Sequence, residues 1–583
     1  MAVLDIVLEG DPRLREKSVK IRQVDDSIRR LAEDMYETIP AAEGVAVAAP
    51  PVVEGIAGTN RAAVPPLDWG ACAASSAEEE EFLREYRCTT VEVPLSYREP
   101  EGQSVELALG MLPASDPARK LGTLFWNPGG PGGSGRIPPA FSDALHARFD
   151  IVGFDPRGVG ASTQLQCFTS NEQAFELLFW DFPITLAQER RAIELTRRAT
   201  DLCARNGGPI LEHMSTANVA RDLDLLRQAV GDDQLTYLGF SYGTHVGAVY
   251  ANLFPDRVRA MTLDSVLDPN EWTTGYDPAD AFAPVSYRIG SHLGADRALS
   301  SFLAACAGDE RCAFREAGVD LRRKYDRLLA RLRRRPIEIV DPDGAVSTVT
   351  YQAVVGLTLG LLYDAGASGF LADALESLYV ASERPAALPA RAGAQVRRAL
   401  LQSRNQPHWA LSQDEEPYFG IESTWAVLCT DSSNPANPWA WRRYARRADR
   451  EAHPFGSPWV YLSLPCATWP ASDADRYTGP WNRPTSHPLL LVGNQLGDPA
   501  TPYEDTQRTA DHVLADARLL TLNSFGHVAF DKSACVVRAV ERYVIDLRLP
   551  APGTVCQPDL APFDPAPQAT AGVSLKRLGP SSR

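Results

Sequence analysis

The run Gly239-Phe240-Ser241-Tyr242-Gly243 constrains this chain more than any other. It is a G-x-S-x-G pattern, preceded by the short apolar run Gln234 to Leu238 and followed by the helix-compatible run Thr244 to Ala251. A serine on a tight strand-to-helix turn has its hydroxyl held out above a sheet, and the flanking glycines make that turn sterically feasible. The pattern alone also occurs in ordinary turns. A strand before it and a helix after it are the context that a nucleophile elbow needs.

From about Leu67 onward, apolar runs alternate with helical segments. Strands are predicted over 105–111, 122–126, 149–154, 235–238, 259–263, 488–492 and 517–522. This is the pattern of a mostly parallel sheet covered by helices. A serine nucleophile needs a base to take its proton and an acid to orient the base. On such a sheet the chain order is Ser, then Asp or Glu, then His. The run Leu489 to Val492 leads to Asp498, and Arg518 to Leu522 leads to His527. Asp498 is therefore read as the acid and His527 as the base. Asp-Pro turns and Gly-His loops are common by themselves; order, strand context and the elbow together favour catalysis. Asp264, after the run Ala260 to Leu263, is a competing acid. His213, His245 and His487 have no comparable context, and His245 is read as a packed or surface residue of the helix after Ser241.

Acyl transfer also needs backbone donors for an oxyanion. The run Trp126 to Gly135 is glycine-rich and follows an early strand. The N–H groups of Gly130 and Tyr242 are read as the oxyanion hole. A phosphate loop is the rival reading, but there is no G-K-[ST] ending and no G-x-G-x-x-G with an acidic ribose ligand. No cofactor and no metal are expected.

At 583 residues the chain is long for one simple core, so several domains, or one with an inserted lobe, are expected. A net charge of −16 argues against nucleic acid as a partner. No run reaches the roughly 18 apolar residues that a membrane span requires. The oligomeric state is not legible. The ten cysteines form no C-x-x-C pair. Buried thiols in a cytosolic enzyme and disulfides in an exported one both fit that count; disulfides are favoured, with Cys306 and Cys312 the clearest local pair.

Residues 1–38 carry charges throughout and do not read as a signal peptide. Gly10 to Arg15, a helix near Asp26 to Ile39, and Glu43 to Pro51 resemble the start of a peptide deformylase. The match departs at Ala46, Val47 and Pro51, and no H-E-x-x-H or E-G-C run follows. Residues 1–53 are thus read as a deformylase-like fragment without a metal site, either a gene fusion or a misassigned start, with 54–66 as a linker.

Residues from about Trp69 to Cys556 resemble the secreted tripeptidyl aminopeptidases of actinomycetes, within the prolyl aminopeptidase family of α/β-hydrolases. The resemblance is carried by Asn127 to Gly135, Phe149 to Ser162, Gly239 to Thr244, Asp498 to Tyr503 and Gly526-His527. It implies an α/β-hydrolase fold and the triad Ser241, Asp498 and His527. Cys72, Cys88, Cys535 and Cys556 also sit where the family has cysteines, which supports disulfides. Core segments are expected at 67–268 and 487–560, a mainly helical cap at 269–486, inserted before the catalytic acid, and a disordered tail at 561–583. The expected function is a serine exopeptidase acting on peptides with a free N-terminus. A carboxylic ester hydrolase is the alternative, and a non-catalytic binding protein on the same fold a remote one. Glu415, Glu416, Glu422 and Asp431 lie in the cap as unassigned candidates for holding a substrate ammonium. The family and the cysteines imply an extracytoplasmic location; the N-terminus leaves a cytoplasmic one open.

Overall fold

The computed structural model describes residues 62–178, 181–340, 346–383, 393, 396, 418 and 420–565. The contacts divide the chain into Met1–Ile56, outside the described residues, and Ala57–Arg583. The deformylase-like fragment, most of the linker and the tail beyond residue 565 therefore fall outside the described residues.

The second unit is built on a nine-stranded sheet. Its strands are β1 (Arg87–Pro94), β2 (Ser104–Leu112), β3 (Gly122–Asn127), β4 (Phe149–Phe154), β5 (Leu235–Phe240) and β6 (Val258–Asp264). A separate hairpin, β7 (Ile337–Val340) with β8 (Val346–Val349), comes next in the chain. The sheet resumes with β9 (Leu489–Asn494), β10 (Ala517–Leu522) and β11 (Val555–Cys556). The spatial order is β1-β2-β4-β3-β5-β6-β9-β10-β11. β1–β2 and β2–β4 pair antiparallel, and every other pair is parallel. This is the α/β-hydrolase sheet that the sequence predicts.

The central strands explain their own visibility. β5 reads Leu-Thr-Tyr-Leu-Gly-Phe and β9 reads Leu-Leu-Leu-Val-Gly-Asn, and every residue of both is buried. Parallel strands are covered by helices on both faces, so they appear as continuous apolar runs rather than alternating ones. On one face Leu124, Leu238, Leu490 and Leu520 share a core with Val536, Val540 and Tyr543 of the helix Ala534–Asp546. Burying each such leucine contributes roughly 2 kcal/mol.

Between β6 and β9 the chain is mainly helical. It has its own core, including Leu299, Phe302, Tyr325, Leu328, Leu357 and Leu375. All ten cysteines are paired: Cys72–Cys88, Cys167–Cys203, Cys306–Cys312, Cys429–Cys466 and Cys535–Cys556. The first ties the chain before β1 to β1 itself. The last ties the helix Ala534–Asp546 to β11.

The motif Asp155-Pro156-Arg157-Gly158 after β4 has a structural explanation. Arg157 and Asp222 form a fully buried ion pair at 2.6 Å. Tyr97 donates to Asp222 at 2.7 Å, and Arg157 also reaches the carbonyls of Pro94 and Leu95. A buried pair this well satisfied fixes geometry, whereas losing one partner strands a charge in the interior. Asp155 accepts from Ser134 and Arg136 of the glycine-rich loop and from Ala161 of its own loop. It thereby fixes the position of the loop after β3.

Candidate active site

The sheet register assembles the site. Phe240 of β5 lies beside Asp264 of β6, Asp264 beside Val492 of β9, and Asn494 at the end of β9 beside Leu522 at the end of β10. The carboxyl ends of four adjacent strands therefore open on one edge, where parallel α/β sheets place their ligands.

Ser241 follows β5 and precedes the helix Tyr242–Leu253, with φ 55° and ψ −124°. A non-glycine residue at positive φ is strained, and such strain persists only where the surroundings enforce it. Here the enforcement is visible. The Ser241 N–H donates to the Asp264 carbonyl at 3.0 Å, and Thr244 donates to the Ser241 carbonyl from its N–H at 2.9 Å and its hydroxyl at 2.6 Å. The two motif glycines are required by close approach. A Cβ on Gly239 would meet the Gly243 carbonyl oxygen at 2.5 Å, and one on Gly243 would meet the Asn127 carbonyl oxygen at 2.5 Å.

The glycine-rich loop lies against this turn. A Cβ on Gly129 would come within 2.5 Å of the Phe240 carbonyl oxygen and 2.9 Å of the Ser241 Cβ. The Gly129 N–H is spent on the Asn127 side chain at 2.9 Å. Gly130 and Gly132 follow at φ 115° and 92°. The inserted helix Ser423–Asp431 rests on the same loop, with the Thr424 hydroxyl donating to the Pro131 carbonyl at 2.8 Å.

Asp498 and His527 meet. The His527 Nδ1 lies 2.8 and 3.0 Å from the two carboxylate oxygens. Asp498 is buried and also accepts the N–H groups of Ala500 and Thr501, each at 2.9 Å. An acceptor-only carboxylate facing Nδ1 fixes the tautomer with the proton there, which leaves Nε2 as the basic nitrogen. The His527 N–H donates to the Tyr363 carbonyl at 2.8 Å, and the two rings stack edge-on at 5.1 Å. Tyr363 belongs to the segment between β6 and β9, so that insertion touches both the histidine loop and the glycine-rich loop.

Asp264, the competing acid, does not face the imidazole. Its carboxylate accepts the N–H groups of Ala529 at 3.0 Å and Phe530 at 2.8 Å. Burial pushes its carboxyl up to about 7. Of the four unassigned carboxylates, Glu415 and Glu416 lie outside the described residues. Glu422 is buried and accepts from the Cys167 N–H at 2.5 Å and from the Tyr418 hydroxyl. Asp431 is buried too, and accepts from the Thr216 N–H and hydroxyl and from the Trp272 indole. Both are engaged in tying the insertion to the core. For a metal, His213, Asp473 and Asp475 are the group among the described residues close enough to share an ion. Asp473 already accepts from Ser215, Asn218 and Asp475, and Asp475 pairs with Arg98.

His245 is buried, so of the two placements expected for it the packed one is realised. Its ring lies 5.6 Å from those of Trp272 and Trp481, and neither nitrogen has a hydrogen-bond partner among the described residues. Burial lowers its pKa from 6.5 to about 3. The folded state thus resists a proton that the unfolded chain accepts. Stability from this group is fully present above about pH 6.5 and falls as pH drops toward 3. Between about pH 7.5 and 4.5 the loss is about 3 kcal/mol. His245→Phe is expected to remove that part of the acid sensitivity. Urea unfolding of both proteins at the two pH values measures it, and identical pH dependence would refute the assignment.

A strained serine at the end of a central strand, on a sheet of this order, defines a serine hydrolase of the α/β-hydrolase fold. Residues 122–285 match the family model of that fold, and residues 450–556 match the model of TAP-like proteins. Residues 3–56 match the polypeptide deformylase model. The tripeptidyl aminopeptidase of Streptomyces lividans is 32% identical over 519 residues, covering 86% of this chain and 88% of that one. The serine protease Hip1 of Mycobacterium tuberculosis is 31% identical over 514 residues, covering 84% and 91%. Carboxylesterase B of the same species is 33% identical over 544 residues, covering 88% and 96%. The chain belongs to the tripeptidyl aminopeptidase family of α/β-hydrolases.

Proposed function

We propose that the protein is a serine exopeptidase that removes short peptides from a free N-terminus, with Ser241, Asp498 and His527 as its triad. The observation that carries this reading is the Asp498–His527 pair at 2.8 Å, on the strand ends next to the elbow. His527 takes the Ser241 proton through Nε2 as the serine oxygen attacks the scissile carbonyl. Asp498 holds the ring and stabilises the imidazolium. The N–H groups of Gly130 and Tyr242 receive the oxyanion. Gly129 is less suited, because its N–H is engaged, while the Tyr242 N–H opens a helix and has no partner in its own turn. His527 then protonates the leaving amine, an acyl-enzyme forms, and water activated by His527 releases the peptide acid.

We propose a domain division on the same basis. Residues 269–486 form a cap over a core made of 67–268 and 487–560. Contacts of Tyr363 with His527 and of Thr424 with Pro131 support a cap that limits access to the ends of chains. Five disulfides fit an oxidising compartment, and so secretion.

Ester hydrolysis is the second reading, favoured by the relative named carboxylesterase B. The two are separated by turnover of a tripeptide amide with free and with acetylated N-terminus. Acetylation is expected to lower kcat/KM at least about 100-fold, near 3 kcal/mol. Equal rates would sink the aminopeptidase reading.

A further inference from the structure

Asp264 ends β6 and Ser265 follows it, between the elbow and the histidine loop, and no step above uses their side chains. Resting on the triad reading, we propose that Asp264, with Ser265, is a positioning residue that locks the His527 loop to the nucleophile elbow. Asp264 accepts through both its carbonyl and its carboxylate. Its carbonyl accepts the Ser241 N–H at 3.0 Å. Its carboxylate accepts Ala529 and Phe530, two and three residues past His527. The Ser265 hydroxyl accepts the Val528 N–H at 2.9 Å, and the Ser265 N–H is anchored on the Val492 carbonyl of β9.

Three successive N–H groups after the base thus end on one dipeptide. The clamp has something to hold. Val528 sits at φ 68° and Ser265 at φ 60°. A β-branched residue at positive φ is strained, and it persists only where its surroundings over-determine it. Released from the clamp, Val528 would relax to negative φ and carry the adjoining imidazole with it. Asp498 would still pair with His527, but the ring would no longer be aimed at Ser241. Asp264 is buried, and its carboxylate is spent on the backbone N–H groups of Ala529 and Phe530.

An asparagine at 264 keeps one oxygen able to accept both N–H groups, since one Asp264 oxygen lies 3.1 Å from the Ala529 nitrogen and 2.8 Å from that of Phe530. A leucine keeps the volume and removes the acceptors. The test is steady-state kinetics on a free tripeptide amide for Asp264→Leu, Asp264→Asn, Ser265→Ala and Ser241→Ala, with circular dichroism of each. Asp264→Leu is expected to lower kcat about 100-fold with KM within about threefold, the scale of a roughly 1 Å misplacement. Asp264→Asn is expected to restore kcat to within about tenfold of the parent. An Asp264→Leu kcat within about threefold of the parent, a loss carried by KM, or no rescue by asparagine would overturn the proposal. If the leucine variant does not fold, Ser265→Ala decides: a drop in kcat of about tenfold supports the clamp, and an unchanged kcat overturns it. Ser241→Ala keeps the two readings apart. An active Ser241→Ala fails the triad, whereas an inactive one beside an unimpaired Asp264→Leu fails the clamp alone.

Discussion

Ser241→Ala is expected to lower turnover by about 10⁶, the scale seen when the nucleophile of a serine protease is removed. On the proposed mechanism the hydroxyl forms the acyl bond, and alanine offers no nucleophilic atom in its place. The helix Tyr242–Leu253 and the bond from residue 241 to the Asp264 carbonyl need only the backbone, so the fold should be retained. Alanine can occupy φ 55° no more easily than serine, and a modest fall in melting temperature is compatible with the account. Steady-state assay together with thermal unfolding checks both parts. Residual turnover within about tenfold of the parent would place the nucleophile elsewhere.

The second large effect is Asp498→Asn, expected to lower kcat by about 10⁴. The Asp498 carboxylate accepts from Ala500 and Thr501 on one oxygen and faces His527 with both. An asparagine keeps the first two bonds only by turning its oxygen toward those N–H groups. Its amide nitrogen then faces the imidazole as a donor. That donor, at the position 3.0 Å from Nδ1, favours a ring with Nδ1 unprotonated and the proton on Nε2. A histidine in that tautomer cannot take the serine proton. The loss is therefore one of protonation state at nearly unchanged shape. It should appear in kcat, with the circular dichroism spectrum preserved. A loss under about tenfold would show that Asp498 is not the orienting acid.

Much of this was legible from residue order alone. Continuous apolar runs such as Leu489 to Val492 mark central parallel strands, because both faces are covered. The residues just past their ends then fall on one edge. What the sequence conceals is the choice between two acids that each follow a strand. Asp264 and Asp498 have equivalent context along the chain. They differ in what reaches them: Ala529 and Phe530 in one case, His527 in the other. β1 was missed because its first half, Arg-Cys-Thr-Thr, is not buried, and its antiparallel partner covers only its edge. β11 was missed because it has two residues. The role of Asp155 and Arg157 was hidden too, since a motif does not say whether it faces substrate or the interior. Disulfide partners such as Cys167 and Cys203 are 36 residues apart, and only folding brings them together. The sequence leaves His245 between two placements because a histidine on the helix after Ser241 carries no sign of the Trp272 and Trp481 rings beside it.

On the proposed domain reading, substrate choice rests on the cap. Two of its carboxylates, Glu422 and Asp431, bond to the core at Cys167 and Thr216. An ammonium-binding group is therefore better sought in the acylation kinetics of the whole protein than in those two side chains.

The most direct measurement is the capture of the acyl-enzyme. The intact protein is mixed with a tripeptide p-nitrophenyl ester bearing a free N-terminus, quenched in acid, and mapped by mass spectrometry. A burst of about one equivalent of nitrophenol and a tripeptidyl mass on the peptide containing Ser241 are expected, both much weaker with the acetylated ester. An adduct on another residue, or equal trapping of the free and acetylated esters, would contradict the proposed function.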